Sequence, residues 1–342
     1  MSTIGLIIVG GAVAYTSLLT PSSAFRKTAI DFSVHDEQGI PVEGVHAEYY
    51  HMHWIAGTRL IRALRFIPAL RQYDTYVVKE RIMTDAQGKG RMRFRTAEPE
   101  YPKLTFSKDG WYQSQKKIKY EAEKNGIYFP YPVKLNITMR EITNPVALIT
   151  TTKYALDYQI QSEEPVGFDF MLEDWMPPYG KGKVQDAVIT VTPFPLQGLG
   201  SLISICEITF QGEDNGIQGI HAGMIFPEST LIYPHEAFED GYTNQHLRVE
   251  SFVKKTTIDK AQKINLDADY FFIRLRTQKD EDGNIISANY GVILYPINAG
   301  GRDNFRRVRM SYLINPTPND RNLEPARNER GVIIPYTEPL PE

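Results

Sequence analysis

The stretch FDFMLEDWMPPYGKGK, Phe168 to Lys183, gathers side chains able to do chemistry. Glu173 and Asp174 supply carboxylates, Trp175 and Tyr179 ring faces, and Lys181 and Lys183 amines. That set suits sugar recognition, because a ring face packs on C–H groups while charged groups bond hydroxyls. A carboxylate pair also raises glycoside hydrolysis, with Glu173, Asp174 and Asp320 beside Arg321 as the candidate residues. Neighbours in sequence rarely flank one bond at the ~5–9.5 Å separation which that reaction needs. The plainer reading has Trp175 and Tyr179 plugging a seam between domains while the glycines make a turn.

Other constellations carry less. His51-x-His53 puts two imidazoles on one strand face, a common ligand pair, but no third ligand follows at a useful spacing. The expectation is no metal, with polar residues at a strand end. DEDGN, Asp280 to Asn284, alternates carboxylates around Gly283 but lacks the twelve-residue spacing and terminal Glu of an EF-hand, so it reads as a hairpin turn. HEAFE at His235 lacks the second His of a zinc protease helix, and neither a G-x-S-x-G elbow nor a phosphate-binding loop occurs. No cofactor is expected. SYLINPTPNDRNLEPARN, Ser311 to Asn328, is also rich in polar residues. It follows an alternating strand, so Pro316 and Pro318 end that strand and Asp320 and the asparagines cap turns. A structural clasp is the reading here.

The elements that must position these residues are strands. The chain has 342 residues, enough for about two domains. Its 20 Tyr and 22 Pro, with few helical periods, favour an all-β fold. A net charge of −3 gives no general attraction to nucleic acid. The single cysteine, Cys206, rules out an intrachain disulfide and reads as a buried small hydrophobe. Ile4 to Leu19 is uncharged and TPSSAF follows with small residues at Ser22 and Ala24, which fits a signal peptide, residues 1–24, or an N-terminal anchor.

Alternation then recurs. Ile30, Phe32 and Val34 share one face; DEQG turns the chain; Val45, Ala47 and Tyr49 continue. TDAQGKGRMRF, KLTFSKDGWY and YPVKLNITM repeat the logic. The order DEQGIPVEGV, TDAQGKGRMRF, KLTFSKDGWY resembles the carboxypeptidase regulatory-like domain, which implies a transthyretin-like β-sandwich over 28–143, non-catalytic and usually extracytoplasmic. One departure is an insert, 51–82. Within it Arg62 and Arg65 fall on one helical side of residues 58–72, with Arg59 and Arg71 breaking the pattern. That segment reads as a cover over a sandwich edge, or as a basic element (Arg59, Arg62, Arg65) touching a partner or an anionic membrane.

Residues 146–335 are expected to form a second antiparallel β-sandwich, jelly-roll-like, with a tail at 336–342. Its clearest signal is the hairpin YFFIRLRTQKDEDGNIISANYGVILYPI around an Asp-Gly turn. PYGKGKVQD, FEDGY and YLINPTPNDRNLE are similar to phrases in uncharacterised exported bacterial two-domain β-proteins, which implies an envelope or secreted protein. The functional expectation is a non-enzymatic, extracytoplasmic structural or binding module with a protein partner or envelope glycan. Homo-oligomers through edge strands are a further form of it, and membrane contact would come through the N-terminus or 58–72. The alternative is a carbohydrate-active enzyme with its cleft at Glu173–Tyr179.

Overall fold

The computed structural model describes residues 26–54, 75–96, 103–151, 156–159, 164–196, 201–242, 246–254, 257–263, 270–302, 305–328 and 332–337. The proposed export segment, the arginines 59, 62 and 65 and the 58–72 element lie outside the described residues, as do the side chains of His51 and His53. The chain divides into two compact units, Met1–Glu141 with Phe226–Thr230, and Ile142–Ile225 with Leu231–Glu342. Both are built of strands, and no helix among the described residues is long and apolar enough to cross a membrane.

The first unit runs β1 (Arg26–His35), β2 (His46–Trp54), β3 (Thr75–Met83), β4 (Lys89–Thr96), β5 (Lys103–Ser107), β6 (Trp111–Tyr112), β7 (Ser114–Lys117), β8 (Ala122–Lys124), β9 (Ile127–Phe129), β10 (Val133–Thr138) and β11 (Arg140–Glu141). One sheet centres on β1, with β4 antiparallel on one side and β9 and β10 parallel to it on the other. The second sheet has the order β3-β2-β5-β7. Alternation placed Ile30, Phe32 and Val34 on one face and Ala47 and Tyr49 on another, and these faces meet in one core with Leu104, Phe106 and Ile137. Phe32 meets Phe106 edge-on at 5.3 Å, and Tyr49 stacks on Phe94 at 4.1 Å. Gly90 lies opposite Phe32, and a Cβ there would come within 2.3 Å of that ring. The two early turns close alike: Asp36 Oδ1 accepts from Gln38 and Ile40 N–H, and Asp85 Oδ1 from Gln87 and Lys89 N–H. The segment expected as an insert, 51–82, supplies strand at both ends, since β2 runs on to Trp54 and pairs with β3. Tyr76, Val77 and Val78 suit a strand, being aromatic and β-branched.

The second unit runs β12 (Ile149–Thr150), β13 (Leu156–Gln159), β14 (Val166–Asp169), β15 (Asp174–Trp175), β16 (Ala187–Leu196), β17 (Ser201–Phe210), β18 (Gly216–Gly219), β19 (His246–Lys254), β20 (Thr257–Lys263), β21 (Phe271–Lys279), β22 (Ile285–Arg302) and β23 (Phe305–Ile314). One sheet has the order β15-β14-β16-β17-β19-β20, the other β12-β23-β22-β21-β18 with β13 also on β23. Their inner faces share a core that includes Phe168, Ile189, Cys206, Val249, Ile273 and Tyr312. The Asp-Gly hairpin forms as read, with Gly283 at φ 86° between β21 and β22. Pro193 and Pro195 lie inside β16, where β14 reaches only as far as Ile189, so a missing N–H costs no ladder bond on that side.

Candidate functional site

The loop from Phe168 to Asp186 leaves β14, forms β15 and returns into β16. Its organising group is Asp169, whose residue is 0% exposed. One carboxylate oxygen accepts the main-chain N–H groups of Met171 and Leu172, both at 3.0 Å; the other accepts those of Lys183 and Val184 at 2.9 and 3.0 Å. One carboxylate thus ties the two ends of the loop together, since buried N–H groups must find acceptors. Asp186 accepts the Phe170 N–H at 2.9 Å.

Arg276 completes this network. Its Nε donates to Asp186 at 2.9 Å and its Nη2 to Asp169 at 2.7 Å and Asp186 at 3.1 Å. The residue has φ 53°, beside a register shift in the β21–β22 pairing, so a bulge turns its side chain toward the two aspartates. Burial pushes the Asp186 carboxyl above its ordinary range, and Arg276 opposes that push. For Arg276, burial favours the neutral form, but the two carboxylates outweigh it and hold the guanidinium charged.

Trp175 is 4% exposed, and its ring meets Phe168 edge-on at 5.1 Å. Phe170 meets Tyr312 at 5.0 Å, and the Tyr312 hydroxyl donates to the Phe170 carbonyl at 3.0 Å. Burial raises the pKa of that phenol well above the ordinary value. The expectation that Trp175 offers a ring face to a ligand is therefore corrected: its neighbours are the aromatic residues of the second unit's own core.

Asp174 is likewise a turn-former. It accepts the Trp175 N–H at 2.9 Å and the Lys181 N–H at 3.0 Å. Gly180 allows this closure, because a Cβ there would come within 2.4 Å of the Asp174 carboxylate and of the Trp175 carbonyl. Glu173 stands at φ 54°, left-handed backbone that non-glycine residues adopt at a cost. What the loop leaves toward solvent is Tyr179, 41% exposed, with Lys181, Lys183, Leu172 and Val184.

Asp320 belongs to a different network. It accepts the Asn322 N–H at 3.0 Å. Asn322 donates to the Asn144 carbonyl at 2.6 Å and accepts from the Glu324 N–H at 2.9 Å. Glu324, 0% exposed, accepts the Thr143 N–H at 2.8 Å, the Thr143 hydroxyl at 2.7 Å and the Asn144 N–H at 2.7 Å. Asn315 donates to the Asn322 carbonyl, and Asn319, at φ 64°, holds Ala288 and Ile286. Arg321 donates to the Ala237 carbonyl at 2.9 Å. Glu324 and the Asp169–Asp186–Arg276 set were not singled out in the sequence. For Asp169 and Asp186, an acidic residue at a strand end was the available signal.

Among the described residues no group of three or more His, Cys, Asp or Glu is placed to hold a metal ion. In DEDGN, Asp280 takes the N–H groups of Asp282 and Asn284 at 3.0 and 2.8 Å, which lowers its pKa through the bonds from Asn284.

No family model matches this chain, and no curated protein matches it. Among solved structures it is similar to 3-chlorocatechol 1,2-dioxygenase from Rhodococcus opacus 1CP, at 10% identity and TM-score 0.24 over 34% of this chain and 60% of that one. It is similar to the full-length major pilin SpaD from Corynebacterium diphtheriae, at 10% identity and TM-score 0.23 over 90% of each chain. BcpA, the major pilin subunit of Bacillus cereus, follows at 11% identity and TM-score 0.19 over 83% of this chain and 95% of that one. At these TM-scores the likenesses carry no functional argument.

Proposed function

We propose that this chain is a non-enzymatic, extracytoplasmic β-protein, a structural or binding module of the cell envelope or surface. The uncharged Ile4–Leu19 segment supports export, and the Phe168–Lys183 loop supplies the contact surface, through Tyr179, Lys181 and Lys183. One observation carries the reading. Of the candidate carboxylates, Asp174 and Asp320 are engaged by main-chain N–H donors, as are the buried Asp169 and Asp186, whereas Tyr179, Lys181 and Lys183 stand among the loop's exposed groups. A carboxylate already holding a turn closed is poorly placed to exchange protons with a substrate. The partner is a protein or an envelope glycan.

Fractionation with intact-mass measurement tests the location, and a glycan array on the purified chain tests the ligand class. Binding lost in Tyr179→Ala with an unchanged melting temperature supports the loop as the contact. The competing reading, a carbohydrate-active enzyme using Glu173, Asp174 and Asp320, draws on the left-handed backbone at Glu173. Polysaccharide turnover abolished by Glu173→Gln would put the enzyme in place of the module.

A further inference from the structure

The first unit already receives an extended segment at one sheet edge. Phe226–Thr230 packs with this unit and runs along β7. Gln115 N–H donates to the Glu228 carbonyl at 2.7 Å, Thr230 N–H to the Gln113 carbonyl at 2.9 Å, and Ser114 pairs with Ser229. The added segment brings an acidic side chain, and Glu228 forms an ion pair with Lys116 of β7. Phe226 lies under the guanidinium of Arg140, at 4.3 Å from the ring centre. This unit thus holds an added strand by main-chain bonds plus one carboxylate on a basic edge residue.

The opposite side of the sandwich presents the same components. Among the described residues β3 pairs only with β2, and β4 only with β1, so no described strand lies on the outer edge of either. Between these two edges lies a cavity of about 140 Å³, its floor made by Ile82, Met92 and Phe94. Arg81, Arg91 and Arg93 line its rim with one acidic residue, Glu80. Arg81 meets Glu48 at 3.2 Å and Arg91 meets Asp31 at 3.0 Å, both arginines half exposed. Exposed pairs of this kind contribute little and leave guanidinium donors for an incoming carboxylate. Arg81 and Arg91 each face a carboxylate, and among the described residues Arg93 meets none, so Arg93 is the rim cation left for an incoming carboxylate.

We propose that the β3–β4 edge is a docking site for an extended, acidic segment of a partner protein, added as a strand with its carboxylates on Arg81, Arg91 and Arg93. It deepens the binding-module reading and rests on it. Main-chain bonds hold the segment, the apolar floor seats one of its side chains, and charge selects it.

The test uses the full chain and a fluorescein-labelled peptide of about ten residues alternating Glu and Val, long enough for one strand. The expected result is saturable binding that weakens by about tenfold or more between 0.05 and 0.5 M salt, as charge contacts between exposed groups are screened. R91E/R93E, and R91Q/R93Q should the first variant fold poorly, weaken binding by about tenfold with the melting temperature unchanged. N-methylating alternate peptide residues abolishes binding, and hydrogen exchange shows new protection in β3 or β4. Equal binding of a Lys-Val peptide, undiminished binding of the N-methylated peptide, or protection at another edge would overturn the proposal. So would a self-association that R91E/R93E abolishes, which assigns the edge to a second copy. Glycan or partner binding through Tyr179 is untouched by R91E/R93E, so the two readings fail separately.

Discussion

Two polar stretches of the second unit, Phe168–Asp186 and Ser311–Asn328, make an instructive pair. Both carry carboxylates and prolines and both lie next to strands, but the amides are concentrated in the second, with four asparagines against a single glutamine, Gln185, in the first. In each, a buried carboxylate gathers main-chain N–H groups: Asp169 takes four, and Glu324 takes two and a hydroxyl. They differ in what is left over. The C-terminal stretch turns two of its amides inward, with Asn315, Asn322 and Glu324 all buried. The earlier loop closes on Asp169 and Asp174 and still presents Tyr179, Lys181 and Lys183 outward. A buried carboxylate therefore anchors a clasp in one place and the base of a presented surface in the other. The difference lies in the main-chain partners: Glu324 takes its N–H groups from Thr143 and Asn144, far off in the chain, whereas Asp169 and Asp174 take theirs from within their own loop, with Arg276 bonding Asp169 from β21.

The comparison breaks first at Asp169. Asp169→Ala leaves Arg276 without one partner and four N–H groups unmet, and should cost about 3–5 kcal/mol in a denaturant titration. The buried Cys206 is a built-in reporter, so its labelling by a thiol reagent should accelerate in the same variant. Glu324→Gln should cost less, about 2–3 kcal/mol, because the amide still offers one acceptor to Thr143 and Asn144. A reversed order of these two would make the clasp, not the loop, the chief anchor of the unit.

Smaller effects sharpen the contrast. Burial raises the Cys206 thiol from an ordinary 9.0 to about 12. The folded state therefore keeps this proton after the unfolded chain has released it. Its contribution is complete below pH 9 and declines as pH rises toward the folded value, by about 1.4 kcal/mol per pH unit. Cys206→Ala should flatten the alkaline stability profile by that amount, and an unchanged slope would assign the alkaline loss to other groups. Asp174→Ala removes one turn closure and should cost about 1 kcal/mol. Tyr179→Ala and Lys181→Ala should leave stability within about 0.5 kcal/mol while reducing ligand or partner binding. A larger loss of stability would show that these side chains belong to the packing after all.

Much of the fold was readable from residue order. Period-two alternation at Ile30–Val34 and Val45–Tyr49 became inward faces of the first unit's core, and the Asp-Gly turns at 85–88 and 280–283 formed where their chemistry placed them. The clasp at Ser311–Asn328 followed from prolines after a strand. Three features were not readable. The β1–β10 pairing is parallel, and alternation is silent on strand direction. Phe226–Thr230 lies in the sequence of the second unit and packs in the first, and nothing local marks it. Arg276 resembles any exposed strand arginine until the bulge beside it turns it onto Asp169 and Asp186.

By itself the sequence determined the all-β class, the main turns and the inward faces, because these depend on side-chain period and on residues that suit one backbone shape. Only the tertiary structure decided which acids became structural and which surface stayed open. A carboxylate's role depends on the donors that other strands bring to it, and those lie far off in the chain: Thr143 for Glu324, Arg276 for Asp169. The same holds for the arginine-lined edge, where β3 and β4 are neighbours in sequence but their shared cavity exists only once two sheets have stacked.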